Sequence, residues 1–146
     1  RAFRADPGVV EERLQNLEQV HGLIRLVREH ELPDRTLTQR YGFVHALYRE
    51  ELAGTVPPGR RAEVCRALAD ALLAAHAGRA DAAAGELARL YEAGGEAVRA
   101  ADCYRLAAAA AARVFAHREA AALARRGLGL LADAPPSPEA VAAELR

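Results

Sequence analysis

The stretch RYGFVHALYREEL, residues 40 to 52, changes hydrophobic period midway. Up to Phe43 the side chains alternate: Leu37, Gln39, Tyr41 and Phe43 share one face, the pattern of a half-exposed strand. A helix starts at His45, and from there on every segment reads as helical. The chain is therefore expected to be mainly α, with extended structure confined to its first third.

Ahead of the switch, Asp6-Pro7 reads as a helix start: a capping side chain, then a proline whose missing N–H costs nothing there. Val10, Leu14, Leu17 and Val20 or His21 recur at helical spacing until Gly22 ends the run. LIRLVREHEL alternates weakly through Ile24 and Leu26, and LPDRT reads as a turn with Pro33 pre-set in φ. Helix, hairpin, helix over this length matches the C-terminal part of a winged-helix domain, whose earlier helices would lie upstream. The chain opens without Met, and the expectation is a piece of a longer polypeptide.

After a short break at Val56-Pro57-Pro58-Gly59, a helix carries Val64, Leu68, Ala71, Leu72 and Ala75 on one face and closes at Ala77-Gly78. Helices are expected at 82–93, 95–114 and 117–132, separated by Gly94-Gly95 and by a corner near His117. DAPPSPEAV stops the series, and Ser137 with Pro138 can start one more helix. The expected organisation is a partial winged-helix domain with its hairpin (1–56), an antiparallel helical array (57–134), and a C-terminal linker with the start of a next helix (135–146).

Apolar residues make up 51% of the chain but aromatics only 5%, with no Trp or Met, so the core must be built from Leu, Val and Ala. Twenty basic residues, all Arg, balance 20 acidic ones. That balance argues against bulk DNA or an anionic membrane as partner. Arg without Lys and abundant Ala fit a GC-rich bacterial coding sequence. Cys65 and Cys103 fall in helical pattern with no disulfide or metal spacing. No apolar stretch approaches a membrane span and no signal peptide opens the chain, so a cytoplasmic location is expected.

The helical region can be tested against a 34-residue repeat. With Tyr91 as the aromatic of a first helix, a tetratricopeptide-type unit asks for a Leu, three small residues and a second aromatic at fixed offsets. Leu87, Ala88, Tyr91, Ala100, Tyr104 and Ala107 meet it at every position. One period later Arg125 stands where the aromatic should be. The sequence thus holds one full unit and a degenerate follower.

These segments, VVEERLQNLEQVHGLIR, then LPDRTLTQRYGFVHALYREELAGTVPPGRRAEVCRALADALLAAHAGR, then the Ala-rich helices, run in an order that resembles bacterial STAND-type signalling ATPases. There a nucleotide-binding module is followed by a winged helix and by tetratricopeptide-like helices, often beside transcriptional-activator or nucleotide-cyclase domains. The resemblance covers nearly the whole chain and is most specific over 40–61. FVHALYREEL looks like the winged-helix histidine motif of the wider class, Met-His-Asp ahead of a Leu-rich helix. The resemblance implies that His45 contacts the β-phosphate of ADP in the closed state; Val44 stands for the Met, and Ala46 replaces the Asp.

No GxxxxGK[ST] motif is present, and without Lys none can be. His21, His30, His76 and His117 show no ligand spacing with Cys or carboxylates, and no nucleophile–base arrangement can be assembled. The chain is expected to be non-catalytic, with no cofactor or metal of its own; ADP or ATP with Mg belongs to the parent protein. The leading expectation is a regulatory and scaffolding segment that couples nucleotide state to partner or effector binding. Its partners would be the upstream nucleotide-binding domain and an unidentified protein on the helical array, with Tyr91, Tyr104 and Arg105 as contact candidates. Tyr91 and Tyr104 also fill core positions of the repeat. The alternatives are a DNA-binding winged helix with a dimerisation array, which the acids among Arg25, Arg28, Arg35 and Arg40 disfavour, and a free-standing helical-repeat adaptor. A homo-oligomer is left open, and no membrane partner is expected.

Overall fold

The computed structural model describes residues 6–133. In chain order these form α1 (Pro7–Gln19), β1 (Ile24–Glu31), β2 (Leu37–Phe43), α2 (Ala46–Thr55), α3 (Pro58–Ala75), a 3₁₀ turn (Ala80–Ala83), α4 (Ala84–Ala93), α5 (Ala97–Arg113) and α6 (His117–Ala132). The fold is mainly helical, with one small antiparallel hairpin. The helix expected from Ser137 lies outside the described residues. None of the described helices is long and apolar enough to cross a membrane.

The chain divides into two compact units, one ending at Arg79 and the other beginning at Ala80. Helix α3, which the sequence pattern joins to the later helices, falls in the first unit.

In the first unit, the Asp6 carboxylate accepts the Gly8 N–H at 2.8 Å and Pro7 occupies the first helical turn, so α1 starts as its sequence dictates. Gly22 turns the chain at φ 59°. Helix α1 packs on β1, and Glu18 accepts the Leu26 N–H at 2.7 Å, giving an edge amide of the strand a partner. Strands β1 and β2 pair antiparallel, Ile24 opposite Phe43 and Leu26 opposite Tyr41. The register then slips between Leu26 and Arg28. Val27 is the extra residue, and its side chain lies 3.0 Å from where a Cβ on Gly42 would stand. The connecting turn has Pro33 at its second position, a Leu32–Arg35 backbone bond of 2.8 Å, and Arg35 left-handed at φ 64°.

In the second unit, α4, α5 and α6 are joined by connections of a few residues, which makes neighbours antiparallel. The core is Leu87, Ala88 and Tyr91 of α4 against Ala100, Ala101, Cys103, Tyr104, Ala107, Ala108 and Ala111 of α5. All six residues of the repeat pattern are buried. Helix α6 approaches α5 closely at Gly127, where an added Cβ would stand 3.1 Å from Tyr104 Cβ and 3.3 Å from the Ala101 carbonyl oxygen. Helices α4 and α5 end alike: Gly95 (φ 78°) and Phe115 (φ 60°) are left-handed, and the next N–H bonds back to Tyr91 O and Ala111 O respectively.

Candidate functional site

His45 sits where the hairpin gives way to α2. Its backbone is extended (φ −128°, ψ 142°), and it occupies the N-cap position without donating or accepting a side-chain cap bond. Val44 N–H bonds to Leu23 O at 3.0 Å, which fixes the chain just before the histidine. The imidazole is exposed and meets the Tyr48 ring edge-on at 5.6 Å. No acidic residue occupies the first turn of α2. The unpaired N–H groups and the positive end of the helix dipole therefore have no acidic side chain in that turn to compensate them, beside an imidazole that makes no cap bond. Such a corner can hold a phosphate.

The same corner opens an apolar stripe. Val44, Leu47, Tyr48 and Leu52 recur at helical spacing, all are exposed, and α2 buries no residue. The sequence indicated both the strand-to-helix switch and the amphipathic helix; that no residue of this apolar face is buried is seen only in the structure.

The other candidates lie in the second unit. Tyr91 is 2% exposed and Tyr104 6%, so both rings pack the core and only their hydroxyls reach polar partners. Arg99 lies over the Tyr91 ring at 4.0 Å and donates to its hydroxyl at 2.5 Å. Arg105 is exposed on α5. The three are therefore not one surface: two are buried and one projects from the helix.

What sequence reading missed is Glu92. It accepts the Tyr104 hydroxyl at 2.6 Å on one carboxylate oxygen and an Arg126 guanidinium N–H on the other, so one side chain links α4, α5 and α6. The Arg126 bond, more than the Tyr104 bond, holds the Glu92 carboxyl below its ordinary value near 4.5, against the opposing effect of burial. Burial, then the Glu92 bond, pushes the Tyr104 phenol up, and the Glu92 bond raises Arg126 further. Glu92 and Arg126 are 34 positions apart, one repeat period. Opposite charges at i and i+34 were the legible signal.

Beside this link runs an open groove of about 840 Å³. Its floor is Tyr104, Ala107, Ala110 and Ala111 of α5, and Val114 closes one end. One wall is residues 81–86 with Arg89, and the other is Glu119, Ala122, Leu123 and Arg126 of α6. Among the described residues no three His, Cys, Asp or Glu side chains converge as a metal site would require. Both cysteines are free thiols; burial, then Asp102, pushes the Cys103 thiol up, as expected of a packing residue.

Comparison with protein-family models, with curated proteins and with solved structures gives no match for this chain.

Proposed function

We propose that this chain is a non-catalytic regulatory and scaffolding segment of a STAND-type signalling ATPase. In this reading the first unit carries the C-terminal part of a winged helix, and α4–α6 form a tetratricopeptide-like array. The winged helix clamps a nucleotide held by an upstream domain of the same polypeptide, and the array carries a partner or effector. The observation that carries the reading is His45: an exposed imidazole, committed to no cap bond, at a helix N-terminus whose first turn holds no acidic residue. It would donate a hydrogen bond to the β-phosphate of ADP while the first-turn amides face the same charge.

Two further observations support it. The apolar stripe from Val44 to Leu52 is uncovered, as a surface made to meet another domain would be. All six repeat-pattern residues are buried, and the Glu92–Arg126 link spans one period, which supports the repeat reading of the array.

The test is calorimetric ADP affinity on the native parent polypeptide, wild type against His45→Ala. The expected loss is roughly tenfold or more, about 1.4 kcal/mol, in a variant that stays folded. Unchanged affinity would return His45 to a structural corner residue.

A further inference from the structure

Helices α4 and α6 each pack on α5, while their own backbones stay apart and the Glu92–Arg126 bond bridges them at one end. Packed helices lie about 8–10 Å apart, so two helices flanking a third leave a slot that a fourth, about 10 Å across, can complete. The groove occupies that slot. Its alanine floor lets a docked backbone come close, while Val114, exposed at 72%, and Leu123 offer apolar area at its sides.

The two ends of the groove differ in charge. At the Tyr104 end, Arg126 is already engaged by Glu92. Antiparallel packing places the other end beside the start of α4 and the first turn of α6, where Asp81, Glu86 and Glu119 line the walls. Among the described residues none of these three carboxylates has a hydrogen-bond or ion-pair partner. Arg118 adjoins Glu119 and Arg79 lies two residues before Asp81 in the chain, but neither lines the groove; Arg89, three residues after Glu86, does.

We propose that the groove binds an amphipathic helix of a protein partner, its apolar face on the alanine floor and its Arg or Lys side chains against Asp81, Glu86 and Glu119. The proposal rests on the partner-surface half of the function given above and adds the partner's chemistry and direction. An acidic helix would place like charges together at the end where three lining carboxylates face the single guanidinium of Arg89.

The test uses the full 146-residue chain and two fluorescein-labelled Ala/Leu helical peptides, identical except that Arg at one end of the first is Glu in the second. By fluorescence anisotropy the Arg peptide is expected to bind roughly tenfold or more tightly than the Glu peptide. Glu86→Arg with Glu119→Arg, both at exposed positions, should reverse that order. Ala110→Trp, which fills the floor from a half-buried position, should abolish binding, with folding of each variant checked by circular dichroism. Equal affinity for both peptides, lost in Ala110→Trp, overturns the charge selection and leaves the groove as a partner surface. Failure of both peptides to bind, or binding indifferent to Ala110→Trp, overturns the groove as well. Neither result touches the His45 reading, which is measured by ADP affinity.

Discussion

Glu92 shows how one side chain can hold three helices in register. Its two carboxylate oxygens are divided between Tyr104 and Arg126, and the carboxyl titrates below its ordinary value near 4.5. In the window between the two values the unfolded chain binds more protons than the folded one. The stabilisation is therefore complete above about 4.5 and is lost as pH falls through the folded value. Chemical denaturation across that range should show wild-type stability falling more steeply than that of Glu92→Gln; parallel curves would deny the link its role. Tyr104→Phe removes one hydrogen bond to a charged acceptor and is expected to cost about 1–2 kcal/mol near neutral pH, read from the urea midpoint. Arg126 is largely exposed, so its share is the weaker one. Sequence alone marked Tyr91 and Tyr104 as repeat positions but could not say where their hydroxyls would go, because that depends on which turn of a neighbouring helix faces them.

At the scale of elements, two glycines of α6 test the packing against α5. Gly129 has open space where a Cβ would stand, whereas the Cβ of a residue at 127 would press on Tyr104 and on the Ala101 carbonyl. Gly129→Ala should stabilise by about 0.5–1 kcal/mol through helix propensity. Gly127→Ala should lose that gain to the contact, and equal thermal shifts for the two would contradict the close approach. At the α5–α6 corner, Phe115 is left-handed and 82% exposed at a position that favours glycine. Phe115→Gly is expected to raise stability by about 0.5–1 kcal/mol, since relief of backbone strain outweighs the added freedom of the unfolded chain.

Element type was largely legible in the sequence, because period and turn chemistry agree from Asp6 to the α5–α6 corner. The departures have local causes. Strand β1 alternated weakly because the bulge at Val27 shifts its parity midway. The 3₁₀ turn at 80–83 went unread because its alanines suit an α-helix equally well. Helix α5 begins at Ala97 and not at 95 because Gly95 and Glu96 hold non-helical dihedrals. The groove was not legible, since its walls come from segments 81–89 and 119–126, which only the fold brings together.

At the scale of the molecule, burial is unevenly shared. In the second unit α4 and α5 hold most of the fully buried side chains, while α2 in the first has none. Native-state hydrogen exchange should therefore find the slowest amides in α5 and among the fastest helical ones in α2. That contrast leaves α2 with apolar surface for a covering domain to shield. In the proposed function the cover is a nucleotide-loaded domain and His45 touches its phosphate. The most direct measurement is hydrogen exchange on the parent polypeptide with and without ADP, followed at the first turn of α2. ADP is expected to slow those amides in wild type and to have little effect in His45→Ala. Equal protection in both, or none in either, would contradict the proposed contact.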